Sequence, residues 1–227
     1  MNRALFLAPL LFASCVVTSH EAMPEGWIDL QADGLAGWVG GSTYDPQKLE
    51  ELPEAERLAV QAGWDAEVAA HWHVDGEDLV SDGSGPHLVT AEHYGDFELE
   101  LSWMIQPGGD SGIYLRGYPQ VQIWDPANPR EAGNGAAKGS GGLWNNKAHE
   151  RFPIVPADNT PGDWNHMTVA MHGETVTVVL NGHLIVDRVV LDNYFRRGEP
   201  LVARGPIHLQ THGSEVRFQN VRIRPLD

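Results

Sequence analysis

From His71 to the C-terminus, apolar and polar residues alternate with the two-residue period of β-strands, in short runs broken by turn residues. Trp72-His73-Val74 and Asp78-Leu79-Val80-Ser81 flank Asp75-Gly76, a hairpin signal. Leu88-Val89-Thr90 follows, then Phe97 to Trp103, in which Phe97, Leu99 and Leu101 alternate with polar positions. Trp164 to Met171, Thr175 to Leu180 and His183 to Asp187 are separated by His172-Gly173-Glu174 and Asn181-Gly182. Ile207 to His212 and Glu215 to Arg224 close the chain. Two stretches break the alternation. Between Pro46 and Ala70, Leu49, Leu52, Leu58, Val60 and Val68 stand among Glu, Gln, Arg and Ala. That pattern predicts one or two short helices near 47–70, with Pro53 starting the second or breaking the first. Between Pro126 and Asp163 there is little periodicity and much Gly, Asn and Pro; an unpatterned connection of that length predicts loops covering a cleft. Many short antiparallel strands with one helical insertion predict an all-β fold, a two-sheet antiparallel sandwich of the jelly-roll kind.

The stretch from Asp110 to Asp125 is the most informative. It reads as a strand, a Gly117-Tyr118-Pro119 turn and a second strand. Ile113, Leu115, Val121 and Ile123 alternate onto one face, which needs a core. Tyr114, Arg116, Gln120, Gln122 and Trp124 are left on the other. Aromatic planes accept the C–H face of a sugar, and amide and guanidinium groups hydrogen-bond its hydroxyls and carbonyls. The face points to carbohydrate.

A length of 227 residues suits one β domain, and the net charge of -16 argues against nucleic acid or a basic membrane patch as partner. The only cysteine is Cys15, so an intrachain disulfide is ruled out. Asn2-Arg3, the apolar run Ala4 to Phe12 and then Ala13-Ser14-Cys15 have the layout of an export signal ending in a bacterial lipobox. The expected organisation is a signal over 1–14, a lipid-anchored tether over 15–25 starting at Cys15, and a single domain over 26–227. Val16 after the cysteine directs such a lipoprotein to the outer membrane; the alternative is an ordinary secretory signal with a chance cysteine. The membrane would be met through the N-terminal lipid only.

Several motifs in order carry a resemblance: Tyr94-Gly95-Asp96-Phe97-Glu98-Leu99, Asp110 to Gly117, Pro119 to Asp125, Gly141-Gly142-Leu143-Trp144-Asn145-Asn146, Gly162-Asp163-Trp164-Asn165 and Gly205 to Gln210. With these the chain resembles the bacterial 3-keto-disaccharide hydrolase domain family, in the concanavalin A-like lectin and glucanase superfamily. The resemblance implies a concanavalin A-like sandwich that cleaves glycosides already oxidised at C3, working with a sugar C3 oxidoreductase. Two departures stand out. Many members carry Asn-Ser-Gly where this chain has Asp110-Ser111-Gly112, and Tyr-Glu-Val-Gln where it has Pro119-Gln120-Val121-Gln122.

A C3 ketone acidifies the C2 proton, so a modest base removes it and the C1 substituent leaves by elimination. Such a site needs a base, a holder for the enolate oxygen and a proton for the leaving group. Arg116 is the candidate for the enolate oxygen, against a salt bridge to Glu98 or Glu100. Asp125 is the candidate base or metal ligand, against a cap on the loop that follows it. His208 and His212 alternate with Gln210 onto one face and are the other candidate bases, against a plain solvated face. Tyr114, Gln120, Gln122, Gln210 and Asn145 are candidate sugar-binding residues, with Trp124 and Trp144 as stacking platforms. A divalent metal ion would also stabilise an enolate, although no spacing singles out its ligands. A retaining endo-glucanase needs paired carboxylates, which Gln120, Gln122 and Trp124 do not supply. A non-catalytic, lectin-like carbohydrate-binding module stays open, and the feature that separates it from an enzyme is a titratable group within reach of the sugar.

Overall fold

A computed structural model describes residues 23–227; the expected export signal, Cys15 and most of the expected tether lie outside the described residues. In chain order the strands are β1 (Ile28–Asp29), β2 (Trp38–Gly41), β3 (Trp72–Asp75), β4 (Asp78–Ser81), β5 (His87–Thr90), β6 (Phe97–Ile105) and β7 (Asp110–Leu115). They continue as β8 (Tyr118–Trp124), β9 (Asn165–His172), β10 (Thr175–Leu180), β11 (His183–Val190), β12 (His208–Leu209) and β13 (Val216–Pro225). Two helices, α1 (Pro46–Glu50) and α2 (Glu54–His71), fall between β2 and β3. The strands form an antiparallel sandwich of the concanavalin A-like type. The larger sheet runs β11-β10-β9-β6-β13-β4-β3, with β1 added along β13; the smaller runs β2-β5-β12-β7-β8.

The alternation read from the sequence is what joins the sheets. Phe97, Leu99, Leu101 and Trp103 of β6, with Val216, Phe218, Val221 and Ile223 of β13, turn inward from the larger sheet. Leu88, Ile113, Leu115, Val121, Ile123 and Leu209 meet them from the smaller. On the larger sheet's outer face, Glu98 and Glu100 pair across the strands with Arg224 and Arg222, and both arginines cover the Trp27 ring. Each sheet therefore has one dry face. The outer face of the smaller sheet is the unusual one, because its polar side chains are themselves buried.

Both edges of the smaller sheet are covered. Along β2, Asp65 of α2 accepts from the Gly40 N–H at 2.8 Å, and the Gln61 amide donates to the Gly40 carbonyl at 2.9 Å. Those backbone groups would otherwise offer a template for aggregation. Along β8, the loop at Gly141 and Gly142 pairs with Gln122 in both directions, at 2.7 and 2.9 Å. Pro53 starts the second helix, with Glu54 and Glu56 in its first turn, where they suit the helix dipole. The helix runs 18 residues, longer than the short helices expected. None of its residues is buried, so its periodicity is weak.

The central hairpin turns one step earlier than its sequence suggests. Arg116 and Gly117 form the tip with φ of 53° and 80°, and Leu115 pairs with Tyr118. A two-residue loop with both residues at positive φ matches the twist of the strands it joins. Alternation therefore stops at Leu115, and Arg116 does not continue the polar face.

Candidate active site

Register assembles the site. His208 lies opposite Val89 on one side and Tyr114 on the other, so the outward side chains of β5, β12 and β7 fall in one row. The Tyr114 and His208 rings stack with centroids 5.2 Å apart at 13°. His87, from the start of β5, meets both edge-on, at 5.1 Å from Tyr114 and 5.9 Å from His208. The next row holds Gln210, Gly112 and Gln122, with Gln120 leaning over it. A Cβ at Gly112 would stand 2.9 Å from the Gln210 carboxamide oxygen and 3.2 Å from the Gln120 amide group. Glycine is thus what lets the glutamines settle onto the sheet. The Gln120 amide donates to Gln122, and Gln122 donates to the Asp110 carboxylate at 2.7 Å. The other Asp110 oxygen faces His212 Nδ1 at 3.3 Å.

Burial sets the protonation of these groups. The His87 imidazole is pushed down to about 4, and desolvation holds the His208 imidazole well below the usual histidine range. Both are neutral at pH 7. The Tyr114 hydroxyl is pushed up to about 12, and the Asp110 charge is close enough to add to that rise. It is hydrogen-bonded to the Thr43 hydroxyl at 2.7 Å and accepts from Gln210 at 3.3 Å. His212 moves the other way: its hydrogen bond to Asp110 raises it above the usual value. The Nδ1 atoms of His87 and His208 and the Gln210 oxygen have no hydrogen-bond partner among the described residues. Each unpaired group in a buried site costs about 1–3 kcal/mol, which a ligand's hydroxyls can offset.

These protonation states imply a pH effect. The His87 value falls from 6.5 to about 4 on folding, so between those values the unfolded chain binds the extra proton. Stability therefore drops as pH falls from 6.5 to about 4, by roughly 3 kcal/mol from His87 alone. His212 acts in the opposite sense, its ion pair being lost as pH rises through the raised value; over half its side chain is exposed, so its effect is small. Urea unfolding at pH 7 and pH 4.5 measures the slope. His208, held low by the same burial, adds to the slope, so His87→Leu should remove the His87 share and leave that of His208, and an unchanged slope would assign it elsewhere.

The structure brings together Tyr114, Gln120, Gln122, His208 and Gln210, and joins His212 to them through Asp110. It places the others differently. Arg116, expected on this face, points away from it: its Nε donates to the Gly95 carbonyl at 2.8 Å and one terminal nitrogen to Asp96 at 3.0 Å. Glu98 and Glu100, its alternative partners, are taken by Arg224 and Arg222. Asp125, the expected base or metal ligand, caps the following loop, accepting from the N–H groups of Gly108 and Ala127, each at 2.8 Å. Among the described residues no three His, Cys, Asp or Glu side chains converge as a metal site requires.

Trp124 is no open platform, being buried with its indole N–H on the Gly139 carbonyl at 2.9 Å. Trp144 stands edge-on to it at 6.2 Å, half-buried, with the Arg151 guanidinium 4.9 Å over its ring. Asn145 follows on the same loop, its carbonyl accepting from Arg197 at 3.0 Å. His87 and Asp110 were missed as site residues. His87 precedes Val89 by two positions and so shares its outward face, the one signal that could have found it. Asp110 is an acid two residues before Gly112 on the face already assigned to sugar.

A polar and aromatic outer face on the smaller sheet of a two-sheet jelly roll, with an acid–imidazole pair at one end, belongs to a concanavalin A-like protein. The chain belongs to the 3-keto-alpha-glucoside-1,2-lyase-like domain family, whose sequence profile matches residues 26–224. It is 26% identical over 190 residues to a 3-keto-disaccharide hydrolase of Bacteroides thetaiotaomicron, a match covering 64% of each chain. The chain thus spans somewhat less than two thirds of that relative's length. Two solved structures of candidate glycosyl hydrolases from Parabacteroides distasonis share the fold. One has a TM-score of 0.62 at 19% identity, over 88% of this chain and 99% of that one. The other has a TM-score of 0.55 at 24% identity, over 69% and 83%.

Proposed function

We propose that this face of the smaller sheet cleaves 3-keto-glycosides by removing the C2 proton and expelling the C1 substituent. The observation that carries the reading is the Asp110–His212 pair, a titratable group on the same sheet face as Tyr114, His208 and three glutamines. In this reading the Asp110 carboxylate takes the C2 proton. The electron pair moves onto the C3 oxygen, and the His212 imidazolium, beside Asp110, holds the enolate. As the enolate collapses, the C3 carbonyl re-forms, C1=C2 forms and the C1–O bond breaks. The departing oxygen takes the Tyr114 proton, which burial keeps in place until that oxygen is more basic than the phenolate. The products are an alcohol and a 2-hydroxy-3-keto-glycal. Solvent returns a proton to Tyr114 and takes one from Asp110, and water adding across C1=C2 makes the net reaction hydrolysis.

The two departures from the family pattern support this assignment. Position 120, a glutamate in many members by the resemblance, is an amide here, and position 110 is a carboxylate. The chain Gln120 to Gln122 to Asp110 is one hydrogen-bonded run, so a charge moved from one end to the other stays in the same site. The reading carries with it export and lipid anchoring through Cys15, and a C3-oxidising reaction that supplies the substrate.

The purified protein is to be given a 3-keto-glucoside with a chromogenic leaving group and its unoxidised parent, with and without a chelator. Release from the keto compound alone is expected. Equal release from both would mean ordinary glycoside hydrolysis, and binding of both without release would mean a lectin-like module. Activity lost to the chelator would overturn the metal-free assignment of roles.

A further inference from the structure

Beside His208 lies a half-open cavity of about 460 Å³, bounded by the smaller sheet's outer face and the two helices. Its walls are mainly apolar: Val39 and Val89 from the sheet, Leu49 from α1, Leu58 and Trp64 from α2, and Tyr44. Leu58, Gln61 and Trp64 recur at helical spacing, so one face of α2 is turned to this space. At Gly40 the helix touches the sheet: a Cβ there would stand 2.5 Å from the Trp64 backbone. Toward its N-terminus the helix leaves the sheet, and Leu58 is 59% exposed. Val60, Gln61, Trp64 and Val68 on this helix are only half-buried, so its face toward the cavity has room for something else.

We propose that this cavity receives the leaving group, so that the preferred substrate is the 3-keto-glucoside of an apolar, ring-sized alcohol rather than of a second sugar. The inference rests on the elimination reading given above. Continuity supports it. His208 lines the cavity and stacks on Tyr114, the residue assigned to protonate the departing oxygen, so the cavity begins one side chain away from where the C1 substituent leaves. The mainly apolar lining favours such an alcohol over a sugar. A glucosyl leaving group would bring several hydroxyls against Val39, Val89, Leu49 and Trp64, and each hydroxyl desolvated without a partner costs at least about 1 kcal/mol. Polar side chains also reach it: Glu50 and Arg57 on the helices, Ser42, Thr90, His93 and His208 along the sheet side, and Gln61, whose amide is held by the Gly40 carbonyl and by Asp65. The volume lies within the roughly 300–1,000 Å³ of small-molecule pockets.

The test compares three 3-keto-glucosides, with methyl, 2-naphthylmethyl and glucosyl groups at C1, all leaving as alcohols. The naphthylmethyl compound is expected to exceed the other two in kcat/KM by more than about tenfold, the scale of discrimination an apolar pocket supplies. Val39→Phe fills the cavity from the sheet; Leu58→Glu charges it from an exposed helical position where folding is not at risk. Both should collapse the preference. Preference for the glucosyl compound, or a naphthyl preference that survives both substitutions, would overturn the proposal. Should no 3-keto-glucoside be cleaved, the elimination reading fails instead. Calorimetry with 2-naphthalenemethanol then decides the cavity by itself: binding that Val39→Phe abolishes supports it, and no binding to the unsubstituted protein refutes it.

Discussion

Asp110→Asn lowers kcat on a 3-keto-glucoside by about a thousandfold while the protein keeps its fold, the scale expected when a positioned base is lost. Asparagine matches the carboxylate in shape and can still accept from Gln122, so the glutamine row over Gly112 is kept. What goes is the proton acceptor and, with it, the charge that raises His212. The pH profile separates the two effects. In the unsubstituted protein, kcat/KM falls on the alkaline side as His212 loses its proton, above 6.5 because Asp110 holds it there. In Asp110→Asn, the residual activity should lose its proton at lower pH. His212→Asn should cost nearly as much, and the double substitution little more than either alone, because base and enolate holder work on one bond-breaking event. Retention of more than about a tenth of the activity in Asp110→Asn would remove this carboxylate from the mechanism.

The sequence assigned faces well wherever a strand has one dry side. Ile113, Leu115, Val121 and Ile123 turn to the core, and Tyr114, Gln120 and Gln122 turn out, because a one-residue slip would exchange the two sets. The same rule placed His208 and Gln210 correctly although only His208 and Leu209 form regular ladder. It failed for Arg116 because alternation is a property of extended backbone, and the chain leaves that state at Leu115. Asn-Gly would have announced such a turn; Arg-Gly does not. Asp125 fails similarly, one residue beyond β8, where a carboxylate closes an Asx turn instead of pointing to either face. Trp124 was assigned the right side of its strand, but the sequence carries no sign that the loop at Gly139 lies over it. His87 was overlooked because its two partners, Tyr114 and His208, come from strands 27 and more residues away. The apolar cavity was illegible for a related reason: α2 reads as a weakly patterned helix, and only the sheet beneath it shows that its open side faces a space.

Arg116→Ala should act on stability rather than on turnover. Its side chain is 4% exposed and ties the hairpin tip to two other segments, through the Gly95 carbonyl and the Asp96 carboxylate on one and, at 3.4 Å, the Val202 carbonyl on the other. Truncation leaves those carbonyls without that donor, while Asp96 keeps the Gly173 N–H at 2.8 Å and is itself 37% exposed. The loss is therefore below that of a fully buried ion pair, about 3 kcal/mol. For a chain of this size that lowers Tm by roughly 6–12 °C. Arg116→Gly removes the same contacts but suits the positive φ of 53°, so it should be less damaging than Ala by about 1 kcal/mol. Below their melting temperatures both variants should turn over a 3-keto-glucoside within about twofold of the unsubstituted protein, since the guanidinium points away from Tyr114 and Asp110. Thermal unfolding and kcat measured on the same preparations decide the matter. A variant that melts normally and fails to turn over would return Arg116 to the cleft, and with it the enolate-binding role that its place in the hairpin denies.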